Sequence, residues 1–177
     1  MIRLLFLSFF WTNLYAPPAH LIDWKASRKL TWDDFKGKVV PNSSNAALSS
    51  TSIHFSYGYG DKGFTYSISC QFDKNRSWVR VRNNYILAHE QAHFDIAELH
   101  ARKLKKAISK YRYNENTVSD DLNNIYEHIM NQHHDAQSKY DKETDHSRNP
   151  DQQAFWLKKI REELAGSQEF GNYKQVP

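Results

Sequence analysis

The spacing of hydrophobic positions changes once along the chain, from a period of two to a helical period. In residues 51–60, TSIHFSYGYG, Ile53, Phe55, Tyr57 and Tyr59 alternate with small or polar residues. Period-two alternation is the mark of a strand with one buried face. Residues 64–72, FTYSISCQF, alternate again through Phe64, Tyr66, Ile68, Cys70 and Phe72. Asp61, Lys62 and Gly63 make a short glycine-containing turn between the two runs, so the pair predicts a β-hairpin. SWVRVR, residues 77–82, predicts a third strand. His54 falls on the polar side of its strand and reads as a surface histidine.

From Asn84 the period is that of a helix. A first helix is expected over 84–111, with Leu87, Phe94, Ala97, Ala101, Leu104 and Ile108 on one apolar stripe. A second is expected over 119–140, with Leu122, Ile125, Tyr126, Ile129, His133, Ala136 and Tyr140 on its stripe and His128 facing away. Pro150 ends the polar connection DKETDHSRNP, and a third helix over 152–164 should turn Phe155, Trp156 and Ile160 inward. Residues 17–45 read as an irregular lead-in with Trp24, Trp32 and Phe35 as anchors, and the tail from Gly166 as loose. The expectation is one α+β domain: a small antiparallel sheet beside the first long helix, with two further helices completing the core.

Length agrees with a single domain, since 177 residues can bury a core without disulfides. Residues 1–16, MIRLLFLSFFWTNLYA, set one arginine before an apolar run that is too short to span a bilayer. They read as a secretory signal peptide, leaving 17–177 as the mature domain in a secreted or periplasmic setting, with no stable membrane insertion after its removal. Cys70, the single cysteine, is expected to be a small buried hydrophobe in its strand. The net charge of +4 is spread along the chain, and its densest run, ARKLKK at 101–106, reads as a solvated helix face. That distribution argues against a nucleic-acid partner, which would need cations gathered on one face.

The first helix carries His89-Glu90-Gln91-Ala92-His93, an HExxH arrangement. Residues four apart stack on one helix face, so both imidazoles can reach one ion, and the glutamate between them can take a proton from water activated there. Glu90 lies in the middle of the apolar stripe, with His89 and His93 along its edge. A carboxylate aimed at a core needs a partner, and a metal cleft would supply one. His100 shares the histidine face but lies about 10 Å further along the helix, too far for the same ion, and reads as structural or surface. Glu143, His146 and His133 are the candidates for a third ligand, and spacing alone does not choose among them. Asp95 reads as a surface carboxylate, Glu98 and Arg102 as an exposed helix-face ion pair, and Tyr140 as a packed tyrosine at a helix end.

LTWDDFKG, SWV, LAHEQAHFDIAELHARKL and YDKETDHS followed by QQAFW resemble, in sequence and order, the bacterial domain of unknown function 922 family, grouped with zincin-like metallopeptidases. The likeness covers about residues 24–164. It implies a zincin-like fold and a secreted or periplasmic zinc-dependent peptidase acting on a peptide or protein substrate. It also implies His89 and His93 as zinc ligands, Glu90 as catalytic base, and His146, in Thr144-Asp145-His146, as the third ligand. Ser147 stands where many such sequences carry glycine. The alternative is a zinc-binding envelope module that has lost turnover.

Overall fold

The computed structural model describes residues 18–60 and 63–173; the expected signal peptide at 1–16 lies outside them. The chain folds as α+β. Strands β1 (Leu21–Asp23), β2 (Ala47–Leu48), β3 (Thr51–Gly60), β4 (Gly63–Asp73) and β5 (Trp78–Val79) precede helices α1 (Asn84–Ile108), α2 (Val118–Thr144) and α3 (Pro150–Gly166).

The expected hairpin forms. β3 and β4 pair antiparallel, with Ile53 opposite Cys70, Phe55 opposite Ile68, Tyr57 opposite Tyr66 and Tyr59 opposite Phe64. These residues share one face, while His54, opposite Ser69, lies exposed on the other. Gly63, the first residue of β4, has φ +83°, a backbone angle that favours glycine.

The other two short strands depart from expectation. SWVRVR does not extend the hairpin. Only Trp78 and Val79 are strand, and they pair with Leu48 and Ala47 in a separate two-stranded ribbon. The ladder stops because the amides of Arg80 and Val81 both donate to the one carbonyl of Ala46, and the Arg80 guanidinium turns back to the carbonyls of Ser43 and Val40. Within the lead-in, Leu21–Asp23 joins the edge of β4 against Asp73, Phe72 and Gln71, giving a sheet of order β1-β4-β3. Three residues are too few for a periodicity to reveal.

α1 is the central element, packed on β3 and β4 along one side and on α2 and α3 along the other. Its sheet side buries Phe94, Ala97, Ala101, Leu104 and Ile108 with Ile53, Ile68, Cys70, Phe72 and Leu122. Its opposite side buries Ala92, Ile96 and Leu99 against Tyr140, Trp156 and Ile160. The helix is therefore covered on almost every side, and this corrects two readings. Asp95 is buried, accepting hydrogen bonds from Trp24 Nε1 at 2.7 Å and Gln91 Nε2 at 2.8 Å. Glu98 and Arg102 do pair, at 2.8 Å, but inside the protein, not on an exposed face.

The cover over that pair is the tail expected to be loose. After α3 a 3-10 turn at Gln168–Phe170 brings Tyr173 down into the core, where its hydroxyl donates to Glu98. Arg102 donates to the carbonyl of Leu164 at 2.7 Å. On α3 itself Trp156 and Ile160 are buried as expected, joined by Gln153, which donates to the carbonyl of Tyr85 at 3.0 Å. Phe155 points outward, 59% exposed. The inward stripe runs i, i+3, i+7 through 153, 156 and 160, and Phe155 is 100° off it.

Candidate metal centre

The Asn83 side chain caps α1, accepting from the Ile86 amide at 2.7 Å, so the helix is already regular one turn later where His89 projects. His93 follows four residues on, and both rings face α2. That helix runs a turn beyond the expected end at Tyr140, to Thr144, and stops only at Asp145, which takes a left-handed conformation with φ 48°. The extra turn makes Asp141 a helical residue, four after Gln137 and eight after His133, on the side facing α1.

Asp141 completes a triangle. Its Oδ1 lies 3.2 Å from His89 Nε2 and 3.1 Å from His93 Nε2, and the two Nε2 atoms are 3.2 Å apart. Burial pushes the His93 imidazole down, but its hydrogen bond to Asp141 and the charges of Glu90 and Asp141 outweigh that and lift it to about 9. Burial pushes the Asp141 carboxyl up, and the two histidine hydrogen bonds more than reverse this, holding it well below the usual carboxylate range. Three donor atoms this close require positive charge between them, from a proton or a metal cation. The spacing suits the second. Bonds of about 2.0–2.1 Å in a tetrahedral site separate ligand atoms by about 3.3 Å. His89, His93 and Asp141 are also the one group among the described residues with the spacing to hold a metal ion. Two imidazoles and a carboxylate suit divalent transition metals in general, zinc among them.

Around the triangle the polar groups are unequally satisfied. Glu90 is buried, and its Oε2 has no hydrogen-bond partner among the described residues. His89 Nδ1 is likewise buried without a partner. His93 Nδ1, in contrast, meets Gln137 Oε1 at 2.6 Å. Tyr140 is wholly buried, stacks on the His89 ring with centroids 4.6 Å apart, and reaches toward the His89 carbonyl at 3.5 Å. It is the packed tyrosine expected at the helix end. The centre opens into a cleft of about 360 Å³. The stretch 45–51, containing β2, forms one wall, and Ser49 Oγ donates from it to the Glu90 carbonyl at 3.3 Å. His146 and Ser147 line it as well.

The candidate residues are thus sorted by position. His89, His93 and Glu90 come together as the HExxH spacing requires. His146 stands beside the triangle, its Nδ1 3.6 Å from Asp141 Oδ1, on a half-exposed side chain. Asp145, His146 and Ser147 occupy three successive left-handed positions, with φ of 48°, 49° and 69°. His133 is turned to Gln137 Nε2 at 2.9 Å. Glu143 faces α3, accepting from Trp156 Nε1 at 2.7 Å. His100 is buried within the protein, bonded to the Ile96 carbonyl at 2.8 Å. Sequence reasoning passed over Asp141 and Gln137. The signal for both was the polar line at i, i+4, i+8 that starts on the apolar stripe of α2 at His133 and leaves it through Gln137 and Asp141.

Fold and cluster together define an α+β protein built around one long helix whose paired histidines meet an aspartate from the next. The chain belongs to the family described as bacterial protein of unknown function (DUF922), whose model matches residues 31–147. Neither a curated protein nor a solved structure matches it.

Proposed function

We propose that the protein is a zincin-like, zinc-dependent peptidase of the cell envelope or its exterior, with the metal held by His89 Nε2, His93 Nε2 and Asp141 Oδ1. The observation that carries this is the mutual spacing of those three atoms on the floor of an open cleft, with the unpartnered Glu90 carboxylate among the lining residues. When bound, zinc supplies Lewis acidity and brings the pKa of water towards about 7. Glu90 takes a proton as the water oxygen bonds to the scissile carbonyl carbon. It then passes that proton to the amide nitrogen as the C–N bond breaks. Burial strengthens this role, because a carboxylate with no other hydrogen bond is held ready to accept one. The wall at 45–51 suits an extended peptide: β5 occupies one edge of β2, and strand addition along the wall is a common way to hold a chain over a cleft. His146, beside Asp141, is placed to touch substrate or to steady that carboxylate. Export rests on the leader-like residues 1–16.

A second reading, a zinc-binding envelope module without turnover, draws on Tyr140. Its hydroxyl is sealed inside the protein and is not offered to the cleft as an oxyanion donor. Glu90→Gln separates the two. On the peptidase reading the wild type cleaves members of a peptide library, and the variant keeps zinc while losing cleavage. Absence of cleavage by the zinc-loaded wild type favours the module, and full cleavage by Glu90→Gln rejects the proposed base.

A further inference from the structure

One side chain joins α1 and α2 at the centre without belonging to the triangle. Gln137 Oε1 lies 2.6 Å from His93 Nδ1, and its Nε2 lies 2.9 Å from the His93 carbonyl and 2.9 Å from His133 Nε2. We propose that Gln137 is the positioning residue of the metal centre, locking the His93 ring so that Nε2 points at His89 and Asp141. The proposal rests on the metal reading above.

The hydrogen-bond logic leaves little freedom. A backbone carbonyl can only accept, so the amide nitrogen of Gln137 must be the atom facing the His93 carbonyl. The amide oxygen then faces His93 Nδ1, and that nitrogen must carry a hydrogen. With Nδ1 as donor, Nε2 is the nitrogen whose lone pair is available to a cation. The second amide hydrogen goes to His133 Nε2, which must accept. Gln137 therefore reads the two imidazoles in opposite senses, accepting from His93 and donating to His133. Its own rotation is blocked, because turning the amide over would set oxygen against the carbonyl and nitrogen against the Nδ1–H. Reach is fixed as well, since one residue binds both the ring and the backbone of His93. His89, whose Nδ1 has no such partner, is held by the Tyr140 ring stacked upon it. Both rings touch Tyr140 and reach Asp141 through Nε2, but of the two only His93 has a hydrogen-bond partner at Nδ1 among the described residues. Partners of this kind fix the tautomer of a ligand imidazole, and their removal typically lowers metal affinity by about 10–100-fold.

The test uses the full mature chain with Gln137→Leu and Gln137→Met, the second retaining the reach and flexibility of the original side chain. Zinc affinity is measured by competition with a chromophoric chelator, and the His93 Nδ1–H proton is followed by NMR in zinc-free and zinc-loaded protein. In the wild type that proton should be visible and slow to exchange. In both variants it should be lost to solvent exchange, and zinc affinity should fall by about 10–100-fold. Zinc affinity within about twofold of wild type in the variants overturns the proposal, as does an Nδ1–H signal that survives the substitutions. A wild type that binds no zinc defeats the metal reading instead, and the zinc-free Nδ1–H signal then still decides whether Gln137 holds the ring.

Discussion

At the scale of single residues, the buried polar groups beneath the C-terminal tail are as exacting as those at the cleft. Glu98 is almost wholly enclosed, and its charge is balanced by Arg102 and the Tyr173 hydroxyl. Removing one partner of such a pair strands the other. Arg102→Met should therefore cost about 3–5 kcal/mol of unfolding free energy. Adding Glu98→Gln to it should return part of the loss, measurable by urea denaturation. A loss of only a few tenths would mean that the pair behaves as the exposed one its i, i+4 spacing first suggests. His100 gives a pH prediction. Burial lowers its imidazole to about 4, against a hydrogen bond to the Ile96 carbonyl and with a small further push from Lys103. The folded state holds this ring neutral, whereas the unfolded chain protonates it near 6.5, so the unfolded state binds more protons between those values. Stability contributed by His100 is complete above about pH 6.5 and is lost as pH falls towards 4, at up to about 1 kcal/mol per pH unit. His93 does not oppose this, because its raised value confines its own effect to the alkaline side of 6.5. Burial lowers His133 to about 4 as well, so it acts in the same window; His100→Asn should reduce the slope between pH 7 and 5 without abolishing it, and an unchanged slope would exclude this residue as a source.

At the scale of elements, the decisive feature is where α2 stops. Its apolar stripe ends at Tyr140, and a pattern read from hydrophobic residues ends there too. The helix continues one turn further, where buried Thr144 bonds back to the Tyr140 carbonyl at 2.7 Å, and the chain turns only at Asp145. That single turn carries Asp141, so the hairpin and all three helices were legible in the sequence while the third corner of the site was not. His89, Glu90 and His93 were legible because one helix supplies all three at fixed spacing. Asp141 depends on how two helices meet, which periodicity does not encode. Phe155 is the converse case: its hydrophobicity suggested burial, but the phase set by Trp156 and Ile160 leaves it in solvent. Trp156→Ala should cost about 3–5 kcal/mol, and Phe155→Ser less than about 0.5 kcal/mol; similar losses by thermal unfolding would contradict the assigned phase. The turn after α2 offers another test. Ser147 sits at φ 69°, and left-handed backbone costs a non-glycine residue about 1–2 kcal/mol. Ser147→Gly should accordingly raise the unfolding midpoint, and a lowered one would show that the serine side chain holds the turn.

At the scale of the molecule, the sheet, the ribbon and two helices all serve to enclose α1 and leave one end of it open. The sheet covers the face with Phe94, Ala97 and Leu104, α3 covers Ile96 and Leu99, and the tail seals Glu98. The histidine turn lines the cleft together with the stretch at 45–51 and the last turns of α2. No helix among the described residues is long and apolar enough to cross a membrane. The enclosure holds the candidate ligands, which come from two helices, against a common core. The central claim is that this meeting point binds a metal through His89, His93 and Asp141. Elemental analysis of the purified protein, compared with Asp141→Ala and His146→Ala, tests it most directly. One zinc per chain is expected in the wild type, retained by His146→Ala and lost from Asp141→Ala. A metal-free wild type, or loss with His146→Ala while Asp141→Ala keeps its zinc, would contradict it.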